Sequence, residues 1–182
     1  WGYHNNWDLY GRAASHSNLG YYWQYEYHGL VGELRADGSL QWPQKDTVMV
    51  EESLPDFAES IEPFNVYYIT VSGHTPYGWN WATAAYKEEL SPLGYSNRTA
   101  GYIGSVVECD RAVEMLVEGL KKSGKLEKTL FVIAPDHIPY SAIETKEEIC
   151  GRKFEGSAGI RTINESAIDF EIYRNSLIIW SE

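Results

Sequence analysis

The chain has 182 residues, which is long enough for one domain with its own hydrophobic core. Hydrophobic residues make up 43% of the sequence and charged residues 23%, as in an ordinary soluble globular protein. The formal net charge is −11 and no cluster of Lys and Arg is present, so we expect no nucleic-acid partner, which would need concentrated positive charge. An anionic substrate would need a metal ion or a local cation to offset the repulsion.

The beginning of the chain gives little periodic signal. Residues 1–42 are rich in Gly, Tyr and Asn, and they predict loops and short elements. The sequence contains neither a signal peptide nor an apolar run of about 18 residues, and it begins at Trp1 within what the pattern indicates is a structured segment. We therefore expect a piece of a longer protein, whose membrane anchor, if it has one, lies elsewhere.

A helix, a strand and a turn are predicted next. Asp46 can cap a helix whose apolar stripe reaches to about Ser60, and Pro55 should bend or split it. Residues 64–71 are β-branched and aromatic, which predicts a buried strand. The turn that follows this strand carries His74.

The second half of the chain alternates helices and strands. Residues 81–90 predict a short helix, and apolar residues at every third or fourth position predict a long helix over 97–122, with Gly124 as its C-terminal cap. Residues 129–134 and 176–180 predict two further buried strands. Strands that alternate with helices indicate an α/β fold with a mainly parallel sheet.

Polar side chains follow two of the predicted strands. His74 comes after the first, and Asp136 and His137 come after the second. Because ligands gather at the carboxyl ends of parallel strands, we expect these side chains to meet at one edge of the sheet. A carboxylate oxygen and an imidazole nitrogen suit Mn²⁺, Zn²⁺ or a similar ion, although Asp136 can equally cap the next turn with His137 as an ordinary polar residue.

Other candidate side chains leave alternatives open. His74 can donate a hydrogen bond to a phosphate or sulfate oxygen, or it can be a loop histidine bonded to backbone. Arg12 can hold a phosphate through its planar guanidinium, although the pattern alone favours a surface arginine. For His4, His16 and His28 the pattern favours a role other than substrate contact.

Several segments of the chain match a known family in order and spacing. They are Tyr3-His4-Asn5-Asn6, Tyr10-Gly11-Arg12, Asn18-Leu19-Gly20-Tyr21, Trp42-Pro43 followed by Asp46, residues 63–74 ending in Ser72-Gly73-His74, Glu108-Cys109-Asp110-Arg111-Ala112, and Pro135-Asp136-His137-Ile138-Pro139-Tyr140. Together they resemble the lipoteichoic acid synthase group of the sulfatase superfamily over nearly the whole chain. The two histidine-bearing strand ends are the most specific part of the resemblance.

The resemblance implies an alkaline-phosphatase-like α/β fold, with a mainly parallel sheet flanked by helices, that is incomplete at both ends. Residues 1–182 would then be part of a sulfatase-type catalytic domain. The family's threonine nucleophile and its metal-binding glutamate would lie upstream of Trp1, so no catalytic nucleophile is expected in the chain, which would be inactive by itself. The chain also has Pro135 where the family has Gly before the Asp–His pair.

The resemblance also implies a set of site residues. One divalent ion is expected, Mn²⁺ first and Mg²⁺ or Zn²⁺ as alternatives, with Asp136 and His137 as two of its ligands. His74 matches the histidine that holds the substrate phosphate. Arg12 matches an arginine that contacts the glycerol-phosphate group, and Tyr10 lies where the family carries an aromatic neighbour.

For the whole protein, the resemblance implies a two-step phosphoryl transfer at the extracellular face of a bacterial cell membrane. A threonine would attack phosphatidylglycerol, diacylglycerol would leave, and a glycerol hydroxyl would take the phosphoglycerol group. The expected partner is phosphatidylglycerol or a polyglycerolphosphate-type substrate, and membrane contact would come from segments outside this chain. The alternatives are another hydrolase of the superfamily, a phosphoethanolamine transferase or, in a different class, a non-catalytic cell-envelope binding module.

Overall fold

The structure is a computed structural model that describes residues 1–61, 63–139, 142–154 and 169–182. Its strands are β1 (Gly2–His4), β2 (Trp23–Glu26), β3 (Gly29–Leu30), β4 (Tyr67–Ile69), β5 (Phe131–Ile133) and β6 (Ile178–Trp180). Its α-helices are α1 (Arg12–Asn18), α2 (Asp46–Ala58), α3 (Lys87–Leu90), α4 (Asn97–Lys122) and α5 (Ile143–Cys150). No helix in this described part is long and apolar enough to span a bilayer.

Four parallel strands form the main sheet, in the order β3-β2-β1-β4. In the middle of the sheet, His4 on β1 pairs with Tyr25 on β2 and with Ile69 on β4. The carboxyl ends of β1 and β4 therefore lie side by side at one edge, and the residues that follow them share that edge. Helices lie between the strands along the chain, so the predicted α/β fold with a mainly parallel sheet is confirmed.

Two features of the strands were not predicted. Strands β1, β2 and β3 lie within residues 1–42, and at three, four and two residues they are too short to show an alternating pattern. The second and third predicted strands are β5 and β6, but β6 is exposed and not buried as predicted, and within the described residues the two pair antiparallel as a separate sheet. The Asp136–His137 pair and His74 therefore follow strands of two different sheets.

One hydrophobic core joins the parallel sheet to helices α2 and α4. Helix α2 touches β1 and β3, and α4 packs along α2. The buried members of this core are Tyr3, Leu30, Met49, Phe57, Leu120 and Leu126. Burial of an apolar side chain of this size stabilises the folded state by about 2 kcal/mol, so these contacts fix α2 against the sheet.

The long helix α4 has the predicted bounds and the predicted C-terminal cap. Gly124 has a φ of +70°, which glycine adopts without strain. The Gly124 N–H donates to the Lys121 carbonyl at 3.1 Å, and the Lys125 N–H donates to the Leu120 carbonyl at 2.8 Å. This pair of hydrogen bonds satisfies carbonyls that the end of the helix would otherwise leave open.

Opposite charges hold the two ends of α2. At its N-terminus, the Glu108 carboxylate of α4 accepts hydrogen bonds from the Thr47 N–H at 3.0 Å and the Thr47 hydroxyl at 2.6 Å. At its C-terminus, the Lys125 ammonium donates to the carbonyls of Phe57, at 2.7 Å, and Ser60. Both signs are those that the helix dipole favours.

The structure corrects the prediction for α2 in two details. The helix continues through Pro55 to Ala58, so of the predicted bend or split the split is excluded. Lys45, not Asp46, is the residue at the N-cap position, and Asp46 is the first helical residue. The Asp46 carboxylate does not cap its own helix because it accepts hydrogen bonds from Val71 and Ser72 instead.

Candidate active site at the carboxyl edge of the parallel sheet

Three consecutive buried polar residues lie at the carboxyl end of β1, and His4 is the last residue of the strand. His4, Asn5 and Asn6 are at most 5% exposed, which is rare for such side chains. The Nδ1 of His4 lies 2.9 Å from the Ile69 carbonyl oxygen, and since a carbonyl can only accept, Nδ1 carries the proton. Burial lowers the pKa of His4, and the nearby Arg12 guanidinium lowers it further against the opposing Ile69 hydrogen bond. The ring is therefore neutral, with a lone pair on Nε2.

Arg12 opens helix α1 close to His4. Its Nη1 is buried and has no hydrogen-bond partner in the described part of the chain. Its guanidinium lies 5.4 Å from the centre of the Tyr10 ring. Tyr10 has a φ of +60°, which is uncommon for a residue other than glycine, and it is 84% exposed. Such backbone strain beside an exposed aromatic ring is typical of a ligand-binding segment.

Buried polar atoms without partners are concentrated at this edge of the sheet. The described residues contain four such side-chain atoms, and three of them are His4 Nε2, Asn5 Oδ1 and Arg12 Nη1. Each unpaired buried group costs about 1–3 kcal/mol, and folded proteins avoid that cost. The cluster therefore indicates a position where water or a polar ligand supplies the missing partners.

His74 lies at the surface in the turn after β4, as the sequence predicts. Its Nδ1 is 2.6 Å from the Thr75 carbonyl oxygen and therefore donates to it. The imidazole meets the Trp42 ring edge to face at 5.3 Å, and Trp42 lies 5.7 Å from Trp7. Since Trp7 belongs to the loop after β1, these rings connect the two turns at the same edge of the sheet.

The Asp136–His137 pair is exposed, with 84% of the first side chain and 50% of the second accessible. The His137 Nε2 lies 3.4 Å from the Asp136 Oδ2. Two ligand atoms that bind one ion at about 2.1 Å in tetrahedral geometry are about 3.4 Å apart, so the donor atoms and their spacing fit a divalent ion. The His137 Nδ1 donates to the Ile138 carbonyl at 2.7 Å, which orients the ring as in many metal-binding histidines.

Two ligands are too few for a metal site. The described residues contain no group of three or more His, Cys, Asp or Glu side chains that could hold an ion. Asp136 and His137 would therefore need further ligands, and His74 does not join them as a third. That His74 and this pair line one cleft stays a prediction. Tyr140, the last residue of the family-like segment, lies outside the described residues.

The histidines near the start of the chain divide into two kinds. His16 stacks on Tyr67 at 5.6 Å and His28 stacks on Tyr25 at 4.4 Å, so both contribute to packing, as the pattern favours. His4 is different, because its unpaired nitrogen makes it a site candidate that the pattern alone did not favour. The sequence signal for His4 is the polar run that begins there and continues through Asn5 and Asn6. Because β1 has only three residues, the pattern does not identify this run as the end of a strand.

Comparison with known proteins gives this geometry a family. A family model described as Sulfatase matches residues 2–182. Lipoteichoic acid synthase 2 of Bacillus subtilis (strain 168) is 24% identical over 150 residues, which are 75% of this chain. The crystal structure of the lipoteichoic acid synthase LtaP from Listeria monocytogenes matches 98% of this chain with a TM-score of 0.64 and 19% identity.

The structural match shows the alkaline-phosphatase-like fold that the sequence predicts. The chain spans only part of both relatives. It covers 22% of the Bacillus subtilis protein and 42% of the LtaP chain.

Proposed function

The chain belongs to the sulfatase family, and we propose that it is part of the catalytic domain of a phosphoglycerol transferase that moves the headgroup of phosphatidylglycerol. In this proposal residues 1–182 hold the glycerol phosphate group and supply two ligands of a divalent ion. Two relatives named as lipoteichoic acid synthases support this choice within the family.

The observation that carries the proposal is the complementary pair of unsatisfied atoms on His4 and Arg12. The neutral His4 ring offers a buried lone pair on Nε2, and Arg12 offers a buried N–H on Nη1. A ligand that satisfies both must bring a hydrogen-bond donor and an acceptor to the same place. The glycerol hydroxyls can donate to His4 while the phosphate oxygens accept from Arg12. A sulfate ion would satisfy Arg12 alone and leave the His4 lone pair unpaired.

His74 supplies the second contact to the phosphate in this proposal. Because its Nδ1–H donates to the Thr75 carbonyl, an Nε2–H that points to a phosphate oxygen exists only in the imidazolium form. That form adds a positive charge where a chain of net charge −11 would otherwise repel an anion. The exposed Tyr10 ring would then cover the glycerol group beside Arg12.

Asp136 and His137 would hold the divalent ion, for which we propose Mn²⁺, with Mg²⁺ or Zn²⁺ as alternatives. When bound, such an ion neutralises negative charge on the phosphate oxygens. Asp136 contributes an anionic oxygen, and His137 contributes a ring nitrogen whose orientation the Ile138 carbonyl fixes. A threonine nucleophile and the remaining ligands would come from other segments of the protein, so the chain by itself would bind substrate without turning it over.

The substrate also suggests where the protein acts. Phosphatidylglycerol is a membrane lipid, and a polyglycerolphosphate chain that grows from its headgroup would be a polymer of the cell envelope. We therefore place the site at the extracellular face of a bacterial cell membrane. In this proposal, contact with the bilayer comes from segments of the protein outside this chain.

Binding of glycerol 1-phosphate to the chain, followed by NMR, tests the proposal. We expect glycerol 1-phosphate to bind more tightly than glycerol or sulfate alone. Arg12→Ala and His4→Ala should each weaken binding about tenfold, since each removes one hydrogen bond to a buried group. His28→Ala is the matched control, because His28 stacks on Tyr25 and should leave binding unchanged.

Two results would contradict the proposal in different ways. Equal affinity for sulfate and glycerol 1-phosphate, unaffected by His4→Ala, would favour another hydrolase of the superfamily. Saccharide binding that neither Arg12→Ala nor EDTA affects would favour a non-catalytic cell-envelope binding module.

A further inference from the structure

A buried carboxylate lies directly beneath the turn that carries His74. Asp46 is 0% exposed. Its Oδ1 accepts the N–H of Val71 at 2.8 Å, and its Oδ2 accepts the N–H of Ser72 at 3.3 Å. The Ser72 hydroxyl donates to the same Oδ2. One side chain from α2 thus binds three donors of two consecutive residues.

The turn passes from the core to the surface over these few residues. Val71 and Ser72 are at most 3% exposed, whereas His74 is exposed. The His74 N–H donates to the Val71 carbonyl at 2.9 Å and closes the turn. Val71 is therefore bonded to Asp46 through its N–H and to His74 through its carbonyl. A displacement of Val71 would be transmitted to the imidazole through a single hydrogen-bonded turn.

The acid is kept in the core although it is costly there. Burial raises the pKa of Asp46 to about 6, and the hydrogen bonds from Ser72 and Val71 only partly oppose this. A second buried acid, Glu108, is 2% exposed and raises that pKa further. Two apolar side chains of similar size would avoid the cost of burying these acids. The carboxylate is therefore better explained by the geometry that it imposes on the turn.

We propose that Asp46 is a positioning residue, which fixes the turn over residues 71–74 and so sets where the His74 imidazole stands at the site edge. That His74 holds phosphate is part of the proposed function, and the expected effect of Asp46 on phosphate binding rests on it. The positional link between the two residues is a property of the fold and can be measured without any ligand.

The test compares Asp46→Asn with Glu108→Gln in the chain by NMR. Glu108 is the matched control, because it is buried at the same end of α2 but bonds to Thr47 and Tyr86, not to the turn. The readouts are the His74 ring-proton shifts, assigned with His74→Ala, and the exchange rate of the Val71 amide. Global stability is measured in parallel by urea unfolding.

We expect Asp46→Asn to shift the His74 ring protons and to speed exchange of the Val71 amide at least tenfold beyond its effect on global stability. Glu108→Gln should change Val71 exchange only as far as its global stability changes, and it should leave the His74 ring protons in place. If Asp46→Asn fails to fold, Ser72→Ala replaces it, since it removes one of the three donors and should give a smaller shift in the same direction.

The outcomes separate this inference from the proposed function. If both variants leave the His74 resonances alone, or both move them equally, Asp46 does not position the turn. The affinity for glycerol 1-phosphate is then measured for His74→Ala and Asp46→Asn. An unchanged affinity for His74→Ala would remove His74 from the proposed phosphate site, while the ring shifts in Asp46→Asn would still establish the positional link.

Discussion

The two turns that carry the candidate site residues are built in opposite ways. The turn after β4 is anchored from below, because the buried Asp46 carboxylate binds Val71 and Ser72. The turn after β5 is held by local bonds, in which the His137 N–H donates to the Asp136 carboxylate at 2.8 Å and its ring donates to Ile138. The first turn is thus bonded to a buried carboxylate of α2, whereas the second has these local bonds and packs Ile138 into a separate hydrophobic cluster.

This difference bears on which half of the proposed site is ordered before a ligand binds. A binding group held by a buried partner needs little ordering when the ligand arrives, and this favours binding. In the proposed phosphate half, His74 is held through the turn that Asp46 binds, and His4 is held by the Ile69 carbonyl. The proposed cation half has two exposed side chains, which a metal with its further ligands would have to order on binding. Metal affinity should therefore depend more strongly than phosphate affinity on residues outside the chain.

The largest expected contrast is in stability. Asp46→Ala leaves the buried N–H groups of Val71 and Ser72 unpaired, and it should lower the free energy of unfolding by about 3 kcal/mol. Asp136→Ala, at a side chain that is 84% exposed, should change it by less than about 0.5 kcal/mol. Urea unfolding of both variants checks this, and similar losses in the two would show that the turns do not differ as described.

A pH effect should follow from the same carboxylate. Burial raises the pKa of Asp46 from 3.8 to about 6, so the folded state holds this proton more tightly than the unfolded state. The resulting stabilisation is complete below about pH 4 and is lost as the pH rises through about 6. The stability difference between wild type and Asp46→Asn should therefore shrink by about 2–3 kcal/mol from pH 4 to pH 7.

Urea unfolding at several pH values measures this difference, with Asp136→Asn as the exposed control. That control should show no comparable trend relative to wild type. A difference for Asp46→Asn that grows with pH would mean that the carboxylate is stabilised in its charged form.

A smaller effect is expected for metal binding. With only Asp136 and His137 as ligands, Mn²⁺ should bind the chain with a Kd of about 1 mM, and His137→Ala should weaken binding about tenfold. Paramagnetic broadening of NMR signals near residue 137 measures the affinity. His16→Ala is the control, since His16 stacks on Tyr67. Micromolar affinity, or broadening that His137→Ala does not reduce, would contradict a two-ligand site.

The smallest expected effect separates the ring of His74 from its backbone. Trp42→Leu removes the edge-to-face contact with the imidazole, which is worth about 0.5–1 kcal/mol. The ring-proton shifts of His74 should change, while exchange of the Val71 amide should not. Faster exchange at Val71 would mean that Trp42, and not only Asp46, holds the turn.

The sequence predicted those parts of the fold that have enough residues to show a period. The helix over residues 97–122 was predicted with its final bounds because 26 residues repeat the pattern several times. Strand β1 has three residues, so neither the strand nor the importance of His4 at its end could be read from the pattern. The segment resemblance did include His4, but it assigned no role to it.

Other features depend on tertiary contacts that no local pattern records. Asp46 was predicted to cap α2 because acids are common at that position. Its contact with Val71 joins residues that are 25 positions apart, so only the folded structure shows it. The antiparallel pairing of Phe131 with Trp180 was hidden for the same reason, since an α/β pattern predicts parallel neighbours.

The charged contacts at the two ends of α2 also affect the position of Asp46 along the helix axis. Glu108 lies on α4 and Lys125 follows its C-terminal cap, and their side chains bind opposite ends of the neighbouring helix α2. A shift of α2 along its axis by one turn, about 5.4 Å, would break both sets of hydrogen bonds at once. Together these two contacts oppose a shift of Asp46 along the helix axis, in addition to its own hydrogen bonds to the turn.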